Sequence, residues 1–312
     1  MIKINSLTKY YGDFKALDKV SFEIPTGTVY GLVGINGAGK STLLRTMSGI
    51  YKPNGGNVTY DGQVVFNNPS VKGKIVFVPD DLYLPPNQSI NDMARRFELL
   101  YSRPMNMEKL KSLAENLGLD LNQRFSSFSK GMRRQASTIL ALALDSEYIF
   151  FDETFDGLDP FKRGYIKRLL IDEVKSRGTT VIISSHSLKE LEDVCDSLAI
   201  LDKGGLVMQS DISGLEAIGT KIQIAFAAPF DRNSFAGLEI STFTKQGSVA
   251  QMIVKGNRDE IMENLKKMNP IILEILPMTL EEAFTYKLES HGVNTLKETG
   301  KGEIKNEKQN LS

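Results

Sequence analysis

The sequence predicts an α/β fold in which a parallel sheet is covered by helices and followed by a smaller α+β domain. Short apolar runs at residues 29–33, 149–151, 180–183 and 198–201 alternate with stretches of helical character, the pattern that builds a parallel sheet. The first of these runs passes through a glycine-rich loop straight into a helix. Beyond about Asp211 the chain begins a separate set of strands and helices, and 312 residues leave room for one large and one smaller domain.

In chain order, Val20, Phe22 and Ile24 alternate with polar residues as a half-buried strand does, and Pro25-Thr26-Gly27 turns the chain. The nearly continuous apolar run at 29–33 reads as a central strand, and 41–47 as the helix after the loop. Pro53-Asn54-Gly55-Gly56 is a turn, and Asp61-Gly62 between Val58-Thr59-Tyr60 and Val64-Val65-Phe66 predicts a hairpin. Residues from about 89 to 144 are mainly helical by periodicity. Ser187-Leu188-Lys189-Glu190 has the form of a capping box for a helix after His186, with Leu191, Val194, Cys195 and Leu198 on its apolar side. Cys195 reads there as a small buried hydrophobe.

After a boundary near 211–220, strands are expected at 221–227, 249–254 and 271–276. Asn257-Arg258-Asp259-Glu260 caps a helix to Met268, and Thr279-Leu280-Glu281-Glu282 caps a last one. The expected division is residues 1–212 with a helical part at about 89–144, a small α+β domain at 213–290, and a disordered tail at 291–312 rich in Lys, Glu, Asn and Gly.

Hydrophobic residues at 41% and charged residues at 24% are ordinary for a globular chain. Lys plus Arg and Asp plus Glu both number 38, so charge gives no reason to expect nucleic acid as a partner. The single cysteine excludes an intrachain disulfide and fits a reducing compartment. No run approaches the ~18 apolar residues of a membrane helix, and residues 1–6 lack a secretory signal pattern. The expectation is a cytoplasmic protein that meets a membrane only through a partner.

The stretch Gly34-Ile35-Asn36-Gly37-Ala38-Gly39-Lys40-Ser41-Thr42 contains G-x-x-x-x-G-K-[ST]. Its glycines let the backbone wrap a phosphate so that successive N–H groups point inward. Lys40 is placed for β- and γ-phosphates, the Ser41 hydroxyl for Mg2+, and the helix N-terminus adds partial positive charge. The bland alternative is a glycine-rich turn, and the buried strand before it and helix after it argue against that. Ile149-Phe150-Phe151-Asp152-Glu153 is a buried strand delivering two acids at its C-terminal end, where parallel sheets collect ligands. Alone, the pair would fit a solvated turn. Beside a phosphate loop, Asp152 reads as a holder of magnesium, directly or through water, and Glu153 as the group that polarises attacking water.

Between these elements stands Phe128-Ser129-Lys130-Gly131-Met132, followed by Arg133-Arg134-Gln135. It resembles the signature motif of ABC ATPases, which lies at this place in the order. Gly157-Leu158-Asp159-Pro160 resembles the loop through which paired cassettes communicate, and Ile183-Ser184-Ser185-His186 the switch-histidine segment. Tyr10-Tyr11-Gly12 resembles the site of the aromatic that stacks on adenine, with Tyr11 the first choice and Tyr10 the second. The resemblance runs from about Ile2 to Ser210.

It implies a P-loop NTPase cassette whose parallel core carries an antiparallel β subdomain and a helical subdomain. It implies ATP and Mg2+ as cofactors and ATP hydrolysis as the activity, with Lys40, Glu153 and His186 catalytic. Two cassettes, identical or not, would sandwich two ATP molecules. Ser129, Gly131 and Met132 would then face the nucleotide held by the opposite subunit, with Asp159 at the contact between them. A polytopic membrane permease would be the other partner and would choose the substrate.

Departures from the family pattern are local. Val78-Pro79-Asp80-Asp81 stands where Gln or Glu is usual, so Asp80 is expected to serve as a shorter oxygen ligand to metal or water. Lys130 and Met132 replace Gly and Gln, and Thr154-Phe155, with Asp156 next, replaces Pro-Thr. The Ser-Lys-Gly-Met form and Met278-Thr279-Leu280-Glu281-Glu282-Ala283-Phe284 resemble cassettes serving exporters of drugs, peptides, polysaccharides or lipids. The alternative is a non-transport ABC ATPase of the mechanical or translation-associated kind. The former resemble cassettes with long coiled-coil insertions and the latter two fused cassettes, and neither feature is present. For the accessory domain, regulation or dimer contact is the hypothesis.

Overall fold

A computed structural model of the chain describes residues 1–212, 219–279 and 281–283. The chain divides into two compact units between Ile212 and Ser213.

In the first unit, β1 (Ile2–Tyr11) and β2 (Phe14–Ile24) pair antiparallel, and Ile2, Ile4, Val20, Phe22 and Ile24 enter one core. β3 (Val29–Val33) leads through the glycine-rich loop into α1 (Lys40–Met47). β4 (Gly55–Tyr60) and β5 (Gln63–Val64) form the expected hairpin. Asp61 at φ 48° and Gly62 at φ 84° supply the two left-handed positions that a tight Asp-Gly turn requires. These strands make a four-stranded antiparallel sheet ordered β2-β1-β4-β5.

α2 (Pro69–Lys72) precedes β6 (Ile75–Val78), and then come α3 (Ile90–Tyr101), α4 (Met107–Leu117) and α5 (Lys130–Ala143). Each of α3, α4 and α5 opens on a side-chain cap, from Ser89, Asn106 and Ser129, that satisfies otherwise free N–H groups. β7 (Tyr148–Asp152), α6 (Pro160–Arg177), β8 (Thr180–Ser185), α7 (Leu188–Leu191), β9 (Ser197–Asp202) and β10 (Gly205–Asp211) complete the unit.

The central sheet is ordered β10-β9-β3-β8-β7-β6 and is parallel except for β10, which runs antiparallel to β9. β3, β7 and β8 are buried at every position, which is why they read as near-continuous apolar runs. Their C-terminal ends lie side by side, with Val33 opposite Ser185 and Asp152 opposite Ser184. Behind the sheet, Lys109 Nζ meets Asp145 at 2.8 Å and Glu173 at 2.7 Å, and Arg177 Nε reaches Glu173 at 3.1 Å, tying α4 to α6.

Two local expectations are corrected. Ser187 precedes α7 without a side-chain cap, because Glu190 instead accepts from Ser185 Oγ at 2.7 Å and pairs with Arg163 at 3.1 Å. α7 also ends at Leu191, so Cys195 lies beyond it; the thiol is nonetheless buried, and burial pushes its pKa up.

In the second unit, β11 (Thr220–Ala225), β12 (Glu239–Gln246), β13 (Val249–Lys255) and β14 (Ile272–Leu276) form an antiparallel sheet ordered β12-β13-β11-β14. α8 (Arg258–Lys266), capped by the Asn257 side chain, buries Ile261 and Leu265 in one core with Ile222, Ile224, Met252 and Val254. The strand expected at 221–227 stops at Ala225. Thr279 and Glu282 make a reciprocal cap, with Thr279 N–H donating to Glu282 at 3.0 Å. The remainder of the expected last helix and the tail at 291–312 lie outside the described residues. No helix among the described residues is long and apolar enough to cross a membrane.

Candidate nucleotide-binding site

The loop after β3 is shaped by backbone that only glycine adopts easily. Gly37 and Gly39 have φ of 84° and 103°, and a Cβ at Gly39 would lie 2.8 Å from the Ala16 carbonyl oxygen. Gly39 precedes α1 with no side-chain cap, so the first N–H groups of that helix lack the partner found at α3, α4 and α5. That end is suited to an anion. Lys40 is 5% exposed. Its ammonium donates to the Gly34 carbonyl at 2.6 Å and the Ile35 carbonyl at 3.3 Å, and the loop therefore curls around it. Ser41 and Thr42 follow on the same helical turn, half-buried.

The two acids at the end of β7 have different surroundings. Asp152 is fully buried; its Oδ1 accepts from Ser184 Oγ at 2.6 Å, while its Oδ2 has no hydrogen-bond partner among the described residues. An unsatisfied buried oxygen costs about 1–3 kcal/mol, and more when charged. A hard cation takes just such a donor, so Asp152 fits a magnesium ligand. Glu153 sits at φ 50°, uncommon for a non-glycine residue, with its N–H donating to the same Ser184 Oγ at 3.0 Å. Its carboxylate bridges the site: Oε1 is 3.1 Å from Lys40 Nζ, and Oε2 is 3.1 Å from Nδ1 of the half-exposed His186. Asp156 joins them, with one ligand-type atom from each of Glu153, Asp156 and His186 lying within 4.8 Å of one another.

Tyr11 reaches this site from the antiparallel sheet. Its ring lies edge-on to Tyr51 at 6.0 Å, beneath Lys9. Burial is the first cause of its raised pKa. Tyr10 is paired instead with Lys15 at 5.7 Å.

Ser129, Gly131 and Met132 open α5, where the Ser129 hydroxyl accepts from Met132 N–H at 3.2 Å. Ser129 itself is exposed. Asp159, also exposed, caps α6 by accepting from Lys162 N–H at 3.0 Å. The two segments touch: a Cβ at Gly131 would lie 3.0 Å from the Gly157 carbonyl oxygen.

Asp80, expected as an oxygen ligand to metal or water, has an ionic partner of its own. Its carboxylate is paired with Arg134 at 2.6 Å, so the charge anticipated for a metal is held by a guanidinium. Two contributors had no role assigned from sequence. Ser184 is a hydroxyl in a strand buried at every position, and Arg134 is a charged residue at a buried phase of α5; that mismatch between polarity and position was their only signal.

A family model described as "ABC transporter" matches residues 17–156. The ABC transporter ATP-binding protein YtrB of Bacillus subtilis (strain 168) is 26% identical over 287 residues, covering 92% of this chain and 98% of that protein. The bacitracin transport ATP-binding protein BcrA of Bacillus licheniformis is 31% identical over 212 residues, covering 66% of this chain and 68% of that protein. Among solved structures, the dimeric bacterial ABC transporter cassette MJ0796 superposes with a TM-score of 0.63 at 21% identity, over 68% of this chain and 99% of that one. Its likeness concerns the fold. With the phosphate loop and the paired acids at neighbouring strand ends and the signature residues opening α5, the chain belongs to the ATP-binding proteins of ABC transporters, which hydrolyse ATP to power transport.

Proposed function

We propose that ATP binds with its β- and γ-phosphates in the loop Gly34–Thr42, its adenine against Tyr11, and Mg2+ between Ser41 and Asp152. The observation that carries this reading is the Glu153 bridge between Lys40 and His186. An incoming γ-phosphate competes for the Lys40 ammonium and releases Oε1 of Glu153 to take a proton from attacking water. His186, at the other carboxylate oxygen, orients Glu153 and reaches toward the same phosphate. Magnesium would offset charge on the β- and γ-oxygens. The chain's part is otherwise positioning: the loop fixes the phosphates, and Ser184 fixes both acids.

A second cassette completes the site, with Ser129, Gly131 and Met132 contributed across the pair and Asp159 at the contact. The dimeric state of the MJ0796 cassette, which shares this fold, supports the arrangement. The membrane partner is a polytopic permease, through which this chain is held at the cytoplasmic face of the membrane. Export is the favoured direction, supported by the Ser-Lys-Gly-Met form and the bacitracin transport relative. Residues 1–212 are the cassette, with 89–144 its helical part, and 213–290 an accessory domain for regulation or dimer contact.

The test is Glu153→Gln. ATP should still bind, turnover should nearly vanish, and light scattering should find a stable ATP-dependent dimer. Unchanged turnover would remove Glu153 from the reaction.

A further inference from the structure

The Arg134 side chain is only 1% exposed, yet its single charged partner among the described residues is Asp80, 52% exposed, at 2.6 Å. The same guanidinium reaches two backbone carbonyls over longer distances, Pro79 at 3.4 Å and Asp152 at 3.5 Å. Three pieces of chain therefore meet at one side chain: the segment after β6, the end of β7 that carries Asp152 with its unpartnered Oδ2, and α5, which opens at Ser129. Removing one partner of such a pair leaves an uncompensated buried charge, so the contact holds its neighbours in place. A carboxylate locked against a guanidinium is also a poor ligand for a cation, which would be repelled by the charge behind it.

We propose that Asp80 and Arg134 form a positioning latch for ATP hydrolysis. It pins the segment after β6 to the signature helix beside the Asp152 carbonyl, and Asp80 acts through Arg134 rather than by binding metal. Asp80 stands where a glutamine or glutamate is usual, and a short acidic side chain can neutralise a buried arginine where a neutral amide cannot. The latch works on the geometry in which Ser129 and Asp152 are presented and leaves nucleotide capture by the Lys40 loop untouched.

The test uses the full chain. ATPase rates of Asp80→Asn, Asp80→Glu, Arg134→Gln and the Asp80→Asn/Arg134→Gln pair are compared with wild type. ATP binding is measured by calorimetry with and without Mg2+ in a Glu153→Gln background. A latch gives about a tenfold lower kcat for Asp80→Asn, the rate equivalent of one charge-assisted hydrogen bond, with substantial recovery in Asp80→Glu. It also leaves the Mg2+-dependent gain in ATP affinity unchanged and makes the double variant no worse than Arg134→Gln. Loss of that Mg2+-dependent gain in Asp80→Asn would make Asp80 a metal ligand and overturn the latch. A kcat for Asp80→Asn within about twofold of wild type would overturn it as well. Should Arg134→Gln fail to fold, the Asp80 variants, altered at a half-exposed position, still decide the matter.

Discussion

Lys40 Nζ stands 3.1 Å from Glu153 Oε1, and both side chains are nearly out of solvent, at 6% and 11% exposure. The cation meant for phosphate and the carboxylate meant for water thus neutralise each other at rest. Each keeps the other soluble in a poorly hydrated site, and an arriving polyphosphate must break this pair before chemistry can begin.

Lys40→Ala removes both that pair and the phosphate's charged donor. Hydrogen bonds to charged groups are worth about 1.5–3 kcal/mol, so ATP affinity should fall by roughly 10- to 150-fold. A fluorescent ATP analogue titrated against wild type and variant checks this; affinity within about threefold of wild type would remove Lys40 from the phosphate site.

Tyr11 separates stacking from hydrogen bonding. Tyr11→Phe keeps the ring and loses only the hydroxyl, and should bind ATP close to wild type. Tyr11→Ala should weaken binding by about tenfold, the scale of one aromatic contact. Equal affinities for Tyr11→Ala and wild type would move adenine elsewhere.

Ser184→Ala strips Asp152 Oδ1 of its donor and the Glu153 N–H of its acceptor at once. Stability measured by urea unfolding should drop by about 1–3 kcal/mol, and turnover should fall with it. If stability is lost but the rate per folded molecule is kept, Ser184 is a purely structural support.

Asp145 supplies a pH dependence. Burial works against its charge, but hydrogen bonds from Lys109 and Asn106 outweigh this and hold its pKa below the ordinary 3.8. A depressed carboxyl binds fewer protons folded than unfolded. Its contribution to stability is therefore complete above pH 3.8 and is lost as pH falls through the lower folded value. Melting curves between neutral pH and pH 3 should show Asp145→Asn less stable than wild type at neutrality, with the gap narrowing in acid. A gap that stays constant would detach Asp145 from this titration.

The parts of the site legible in sequence are those whose chemistry is written in consecutive residues: the loop to Thr42, Asp152 with Glu153, and His186. β3, β7 and β8 were equally plain, because full burial turns a strand into an unbroken apolar run. β12 was not, since Glu239 to Gln246 is mostly polar and is half-solvated at the edge of its sheet. β10 is likewise an edge strand with no fully buried residue. The partner of Asp80 was out of reach for another reason: Arg134 is 54 residues away, and no local pattern announces a pairing made only by tertiary packing. The cap expected at Ser187 failed by competition, its glutamate being taken by Ser185 and Arg163.

The close approach of Gly131 to the Gly157 carbonyl bears on how this position is to be interpreted at all. A bare residue in the signature is naturally ascribed to the nucleotide of a neighbouring subunit. Here its own chain favours it as well, since a methyl group would crowd the Gly157 carbonyl in the loop that descends from Glu153. Drift at this position is thus opposed by local packing as well, and an enzyme that had abandoned catalysis would still have reason to keep the glycine. Among these residues, persistence of Gly131 in a lineage would testify to the shape of the fold, while the orphaned oxygen of Asp152 would be the better witness to a surviving activity.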